Sequence, residues 1–305
     1  MAGALMWEHM TVKEVRDALE SGMRTVLVPL GVTEQHGYHL PLRTDCYNCE
    51  EISRRAAERA GAFVAPTLAY TYSGGELPGT INVSPHVVTQ IVVEILQSLC
   101  LQGLRNIILV LGHGGSENDR ATQEAAEIFL RNNPQYHDRN IAVFRFWKNS
   151  EMCDRAFADG DFHSGWFETS LLLYWVPDQV RDEYVLDDPE VVQMMREDQD
   201  AYQLRTKNVE HELVVPAIRQ HPAIKVGVMG EPGRASAELG RQMTEEAVAS
   251  LVELIEAMRG GGEGWMVRTP CVGMTRIRFG GSFPRAGKIS AHRSKGSPVG
   301  KECRG

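Results

Sequence analysis

The sequence has few cysteines, no long apolar run and, over most of its length, no excess of basic residues. Six cysteines in 305 residues are too few for a disulfide scaffold, so reduced thiols and a cytoplasmic location are expected. No apolar run approaches the roughly 18 residues that span a bilayer, which argues against a transmembrane protein. The opening MAGALMWEHM lacks a basic start followed by an apolar core, so no secretory signal is expected. There is no internal repeat and no H-E-x-x-H zinc pattern. The net charge of −8 argues against nonspecific nucleic-acid binding by the body of the protein.

What is present is ordinary globular material, 43% apolar and 24% charged, in a chain long enough to bury a core without staples. The charge is uneven. Residues 266–305 hold nine Lys or Arg and one acid, a net +8, so the remainder carries −16. That segment is rich in Gly, Ser and Pro and has no apolar period. A compact domain over 1–260 and a Gly-rich, basic, flexible tail over 261–305 are expected. Such a tail can touch acidic partners, but solvated disorder is the simpler reading.

Short apolar, β-branched runs at Thr25–Leu30, Phe63–Pro66, Asn106–Leu111 and Asn140–Phe146 read as buried strands. Helical stretches alternate with them: 12–21, 50–59 closed by Gly61, 85–101 opened by Pro85 and closed by Gly103, and one starting near Glu117. Further helices are expected over 168–175, with an N-terminal extension, and over 236–258. Alternating strands and helices predict an α/β fold, a mostly parallel sheet flanked by helices in a single domain.

Functional groups of such sheets gather beyond the carboxyl ends of the strands. Two histidine-bearing loops lie there. The first runs from Gly31 through Glu34, His36 and His39 to Asp45; the second is Gly112-His113-Gly114-Gly115-Ser116-Glu117-Asn118. In extended backbone, residues i and i+2 face one side, so Glu34 and His36 can share a pocket. Imidazole with carboxylate suits Zn²⁺, Mn²⁺ or Fe²⁺ better than Ca²⁺. Each residue also has a plainer reading. A histidine at a strand end is more often a hydrogen-bonded structural group, and Asp45 could cap the following helix. Their joint occurrence favours a metal site.

A third segment, Asp161-Phe-His163-Ser-Gly-Trp166-Phe-Glu168, precedes an apolar run. On one helix, His163 and Glu168 would stand about 140° apart, bordering a broad pocket. A buried Glu168 needs a partner, which a metal would supply. Cys46 and Cys49 form a lone C-x-x-C, read as helix packing. His39 is expected to hold a metal ligand by hydrogen bond. Trp166 could line the pocket, and Ser73, Glu76 and the LPGT loop could cover it.

The segments TEQHGYHLPLRTD, LPGT, GHGGSEN and HSGWFETS, with VLVPLG and GVMGEPGRAS, resemble the creatininase (creatinine amidohydrolase) family over about residues 7–258. The resemblance implies a βαβ-rich fold, two divalent metal ions per chain, hydrolysis of amide C–N bonds, and a homohexamer. It places Glu34, His36, Asp45 and His113 on metal-ligand positions, with Asp45 as the bridge. Creatinine-opening members carry a Glu two residues past the second-loop histidine, where this chain has Gly115. Glu168 is the natural replacement, as ligand and catalytic group, with Glu117 the weaker substitute. His163 falls on the pocket histidine, a proton shuttle. Gly114 and Gly115 would offer backbone N–H groups to substrate. The implied function is metal-dependent hydrolysis of a small amide, formamide or lactam, with no membrane or nucleic-acid partner. The alternatives are a peptidase or deformylase of cofactor biosynthesis, or a non-catalytic metal- or ligand-binding member.

Overall fold

β2 (Thr25–Leu30) and β4 (Asn106–Leu111) are buried at every residue, which explains their uninterrupted apolar sequence. They pair in parallel, Leu30 beside Leu111, at the centre of a five-stranded sheet of order β1-β3-β2-β4-β5. The computed structural model describes residues 5–260. β1 is Leu5–Met6, β3 is Phe63–Val64 and β5 is Asn140–Arg145, and all pairs in this sheet are parallel. The chain leaves β2 toward β3 on one side, while β4 lies on the other. This switch point puts the loops after β2 and β4 side by side at the carboxyl edge.

Helices α3 (Pro85–Leu101) and α4 (Ser116–Asn132) pack on each other, as do α2 (Thr44–Ala60), α6 (Trp166–Trp175) and α8 (Ala237–Gly260). One hydrophobic core joins them to the sheet, with Phe63, Phe129, Phe146, Leu27 and Ile108 fully enclosed. α1 is Val12–Glu20, held at its start by a capping box between Thr11 and Glu14. No helix among the described residues is long and apolar enough to cross a membrane.

Several boundaries differ from the sequence reading. α2 begins at Thr44, so Asp45 sits in its first turn rather than ahead of it. The expected N-terminal extension of α6 reaches Trp166 but stops short of His163. His163 instead bridges to Met229, and Ser164 takes a left-handed φ of 57° before the helix starts at Trp166. α5 (Glu151–Ala158), α7 (Pro189–Glu197) and the antiparallel pair β6 (Gln203–Thr206) and β7 (Ala217–Gln220) were not anticipated. The expected flexible tail over 261–305 lies outside the described residues.

Candidate metal centre

Two glycines set the spacing of the site. A Cβ at Gly112 would stand 1.9 Å from the Asp45 carbonyl oxygen, and one at Gly31 would stand 2.8 Å from Cys46 backbone. Their bare backbones let the first turn of α2 press against the ends of β2 and β4. Asp45 thereby reaches both loops at once. Its Oδ1 lies 3.5 Å from His36 Nε2, and its Oδ2 lies 3.4 Å from His113 Nδ1.

Each histidine has a second carboxylate. His113 Nδ1 lies 3.0 Å from Glu34 Oε2, and His36 Nε2 lies 3.5 Å from Glu168 Oε2. The result is two triads that share Asp45, Glu34–Asp45–His113 and His36–Asp45–Glu168, each with its donor atoms within 4.8 Å of one another; Glu34, His36 and His163 form a third such group. All five residues of the two triads are buried. Thus α6 brings Glu168 to His36. Glu117 points elsewhere, its Oε1 accepting from Gln203 Nε2 at 3.4 Å.

The supports around these groups are hydrogen bonds from neighbouring elements. Ser73 Oγ donates to Glu34 Oε1 at 2.6 Å. The Ser164 N–H donates to Glu168 Oε2 at 2.7 Å, and Asn48 Nδ2 donates to Oε1 at 3.3 Å. His39 touches no ligand. Its Nε2 lies 2.9 Å from the Ser164 carbonyl and 3.1 Å from Thr169 Oγ1, so it supports Glu168 through the Ser164 turn. Asp161 accepts from the N–H groups of Trp166, Phe167 and Glu231 and ties the start of α6 to the segment bearing Met229. Ser164 acts through its backbone N–H, and Asn48 and Asp161 act through side chains that tertiary packing brings into reach, so residue type alone does not pick them out.

His163 stands beside the five residues of the two triads. Its Nδ1 lies 3.9 Å from Glu168 Oε2, and its ring centroid lies 4.3 Å from that of His36. Its Nε2 meets the Gln35 carbonyl at 2.9 Å and the Gln35 amide nitrogen at 3.1 Å. Gln35 carries no signal of its own in the sequence; its place between Glu34 and His36 is the only cue.

Burial dominates the electrostatics, and the paired charges answer it. Burial pushes the His36 pKa down, but Glu168 and Asp45 outweigh it and hold it well above the ordinary histidine value. His113 is likewise raised, by Glu34 and Asp45 against burial. Glu168 is opposed by burial yet pulled down to about 2, chiefly by His36. His163 is lowered by burial and by the neighbouring His36 charge.

A cavity of about 160 Å³ opens in front of these groups, with Glu34, His113, Gly114, Gly115, His163 and Glu168 on its polar side. Trp166 does not line it. Its side chain is buried beneath the Arg234 guanidinium, 5.4 Å from the ring centroid, because α6 turns that face into the core. Trp147, overlooked in the sequence, lines the cavity instead. Of the residues expected to cover the site, Ser73 holds Glu34 and Leu77 of the LPGT loop lines the wall, while Glu76 is exposed. Cys46 and Cys49 are free, buried thiols with pKa values raised by burial, in keeping with packing.

The donor set fits divalent cations. Glu34 Oε2, His36 Nε2 and Asp45 Oδ2 are buried polar atoms without hydrogen-bond partners, all turned into the site. Mixed imidazole and carboxylate donors suit zinc, manganese and iron.

Residues 8–255 match the family described as Creatininase: Creatinine amidohydrolase. A creatinine amidohydrolase of Pseudomonas putida is 30% identical over 206 residues, covering 62% of this chain and 78% of that protein. A mycofactocin precursor peptide peptidase of Mycolicibacterium smegmatis is 31% identical over 250 residues, covering 78% of this chain and 87% of that protein. Among solved structures, one named Creatininase Mn aligns with a TM-score of 0.66 at 26% identity, over 83% of this chain and 98% of that one. A mutant creatininase of Zn-Zn type aligns with a TM-score of 0.65 at 26% identity, over 84% and 98%.

Proposed function

The chain belongs to the creatininase family, and from that premise we propose that it hydrolyses a C–N bond of a small amide, formamide or lactam in a metal-dependent reaction. The observation that carries this reading is the pair of buried triads sharing Asp45. Two divalent cations per chain, zinc, manganese or iron, would be held by Glu34, Asp45 and His113 and by His36, Asp45 and Glu168. When bound, such cations supply Lewis acidity, polarising a carbonyl and lowering the pKa of water.

The chain's own residues do the rest. The cavity in front of the ligands takes the amide, with the Gly114 and Gly115 backbone beside its carbonyl oxygen. His163, kept neutral by burial, accepts a proton at Nδ1 as water attacks and returns it to the leaving nitrogen. Gln35 holds the far nitrogen of that ring and fixes its plane. Gly115 stands where creatinine-opening relatives carry an acid, which disfavours creatinine itself as substrate.

A peptidase reading is favoured by the M. smegmatis relative, which aligns over more of its length than the creatinine amidohydrolase does. Family resemblance also supports a homohexamer, which sedimentation velocity would test, and the low cysteine count supports a cytoplasmic location. The first experiment is metal analysis of freshly purified protein, followed by a hydrolysis screen of amides, formamides, lactams and short peptides. Stoichiometric metal with turnover is expected. Less than one ion per chain and no turnover would replace this reading with the non-catalytic binding member.

A further inference from the structure

The cavity lining holds, besides the polar groups used above, an apolar patch that the chemistry leaves unused. This wall comes from a satellite cluster, Met195, Ile224 and Met229, packed with Leu77 and Phe162 and separate from the main core. These residues come from α7, the 224–229 segment, the LPGT loop and the turn before His163. Leu77 and Phe162 are only half-buried, so apolar surface faces the cavity. The Phe162 ring is backed by Phe157, centroids 5.8 Å apart. The two methionines make the wall deformable, since their thioethers adapt to irregular shapes.

A small, wholly polar substrate would leave this wall against water. We propose that the wall is a subsite for an aliphatic or aromatic side group beside the scissile carbonyl, and that the substrate is an amide bearing such a group. This rests on the hydrolase reading and narrows its substrate class. The polar wall holds the reacting C–N bond while Phe162, Leu77 and the Met195–Ile224–Met229 cluster take the side group out of water. Apolar burial of this kind discriminates by about 4-fold for each methylene taken out of water.

The test uses the full-length, metal-loaded protein and two matched series, open-chain primary amides and lactams. Each series carries hydrogen, methyl, isobutyl or benzyl beside the carbonyl. In at least one series, kcat/KM is expected to rise about 100-fold from hydrogen to isobutyl or benzyl. Phe162→Ala and Leu77→Ala should each cut that ratio about 10-fold, and Phe162→Leu should restore most of it. Binding is read in parallel by calorimetry, where tighter binding of apolar members should come with a negative heat-capacity change. Turnover without dependence on the side group would overturn the subsite and leave the hydrolase reading intact. If no compound of either series is turned over, the formamide and peptide screen decides the hydrolase reading and calorimetry decides the subsite: equal affinity across both series overturns it, and selective binding of the apolar members upholds it.

Discussion

Asp45 sets one carboxylate oxygen against each of two histidines, Oδ1 toward His36 and Oδ2 toward His113, from the first turn of a helix. Of the two triads that share Asp45, Glu34 belongs to one and Glu168 to the other. The removal of each has a different expected consequence.

Metal content should follow that division. Asp45→Ala should lose both ions of a pair of about two per chain, and Glu168→Ala should lose one. Glu117→Ala should lose none, because Glu117 faces Gln203. Mass-spectrometric metal analysis of the three variants checks this. Retention of full metal by Glu168→Ala would contradict the assignment.

Cation binding should release protons. His36 and His113 are buried, which favours the neutral ring, but their carboxylates prevail and raise both pKa values. Without metal, both rings carry a proton near neutral pH. Their contribution to metal-free stability is present below the ordinary histidine value and is lost as pH rises through the raised values. A cation must displace those protons, so affinity should increase between pH 6 and 8. Calorimetry in buffers of different ionisation enthalpy counts the released protons.

Acid should weaken the support of Glu168. Burial lowers His39 from 6.5 to about 4, so the folded chain binds fewer protons there than the unfolded one. That stability is present above pH 6.5 and is lost as pH falls through 4. Thermal melts of His39→Gln should show a flatter slope across this window than wild type. An unchanged slope would place the effect elsewhere.

An acid at position 115 should not convert the protein into a creatinine-opening enzyme. A Cβ on Gly115 would stand 2.3 Å from His113 Nε2, so any side chain there displaces a proposed ligand. Gly115→Ala and Gly115→Glu should each lower kcat/KM roughly 100-fold, the cost of moving a reacting group by about 1 Å. Restored creatinine hydrolysis in Gly115→Glu would refute this.

Much of the site was legible because its ligands follow strands whose sequences are unmistakable. After their polar first residues, Thr25 and Asn106, the runs TVLVPL and NIILVL are apolar because both faces of those strands are covered, and the breaks at Gly31 and Gly112 mark where the candidate functional loops begin. The elements over 189–220 were not legible. Their apolar residues serve a small satellite cluster or lie exposed, as Leu213 and Ile218 do, so no strong period marks them.

The sequence alone determined the parallel α/β architecture and the residue types of the candidate metal centre, since periodicity and the composition of the loops are local properties. Tertiary structure decided how those ligands pair. Asp45 bridges only because bare glycines admit α2 to the sheet edge. Glu168 rather than Glu117 meets His36 because α6 packs beside α2 while α4 turns Glu117 toward β6. Tertiary packing also buried Trp166 and put Trp147 at the cavity, a choice made by which helix face meets the core and not by the residue itself.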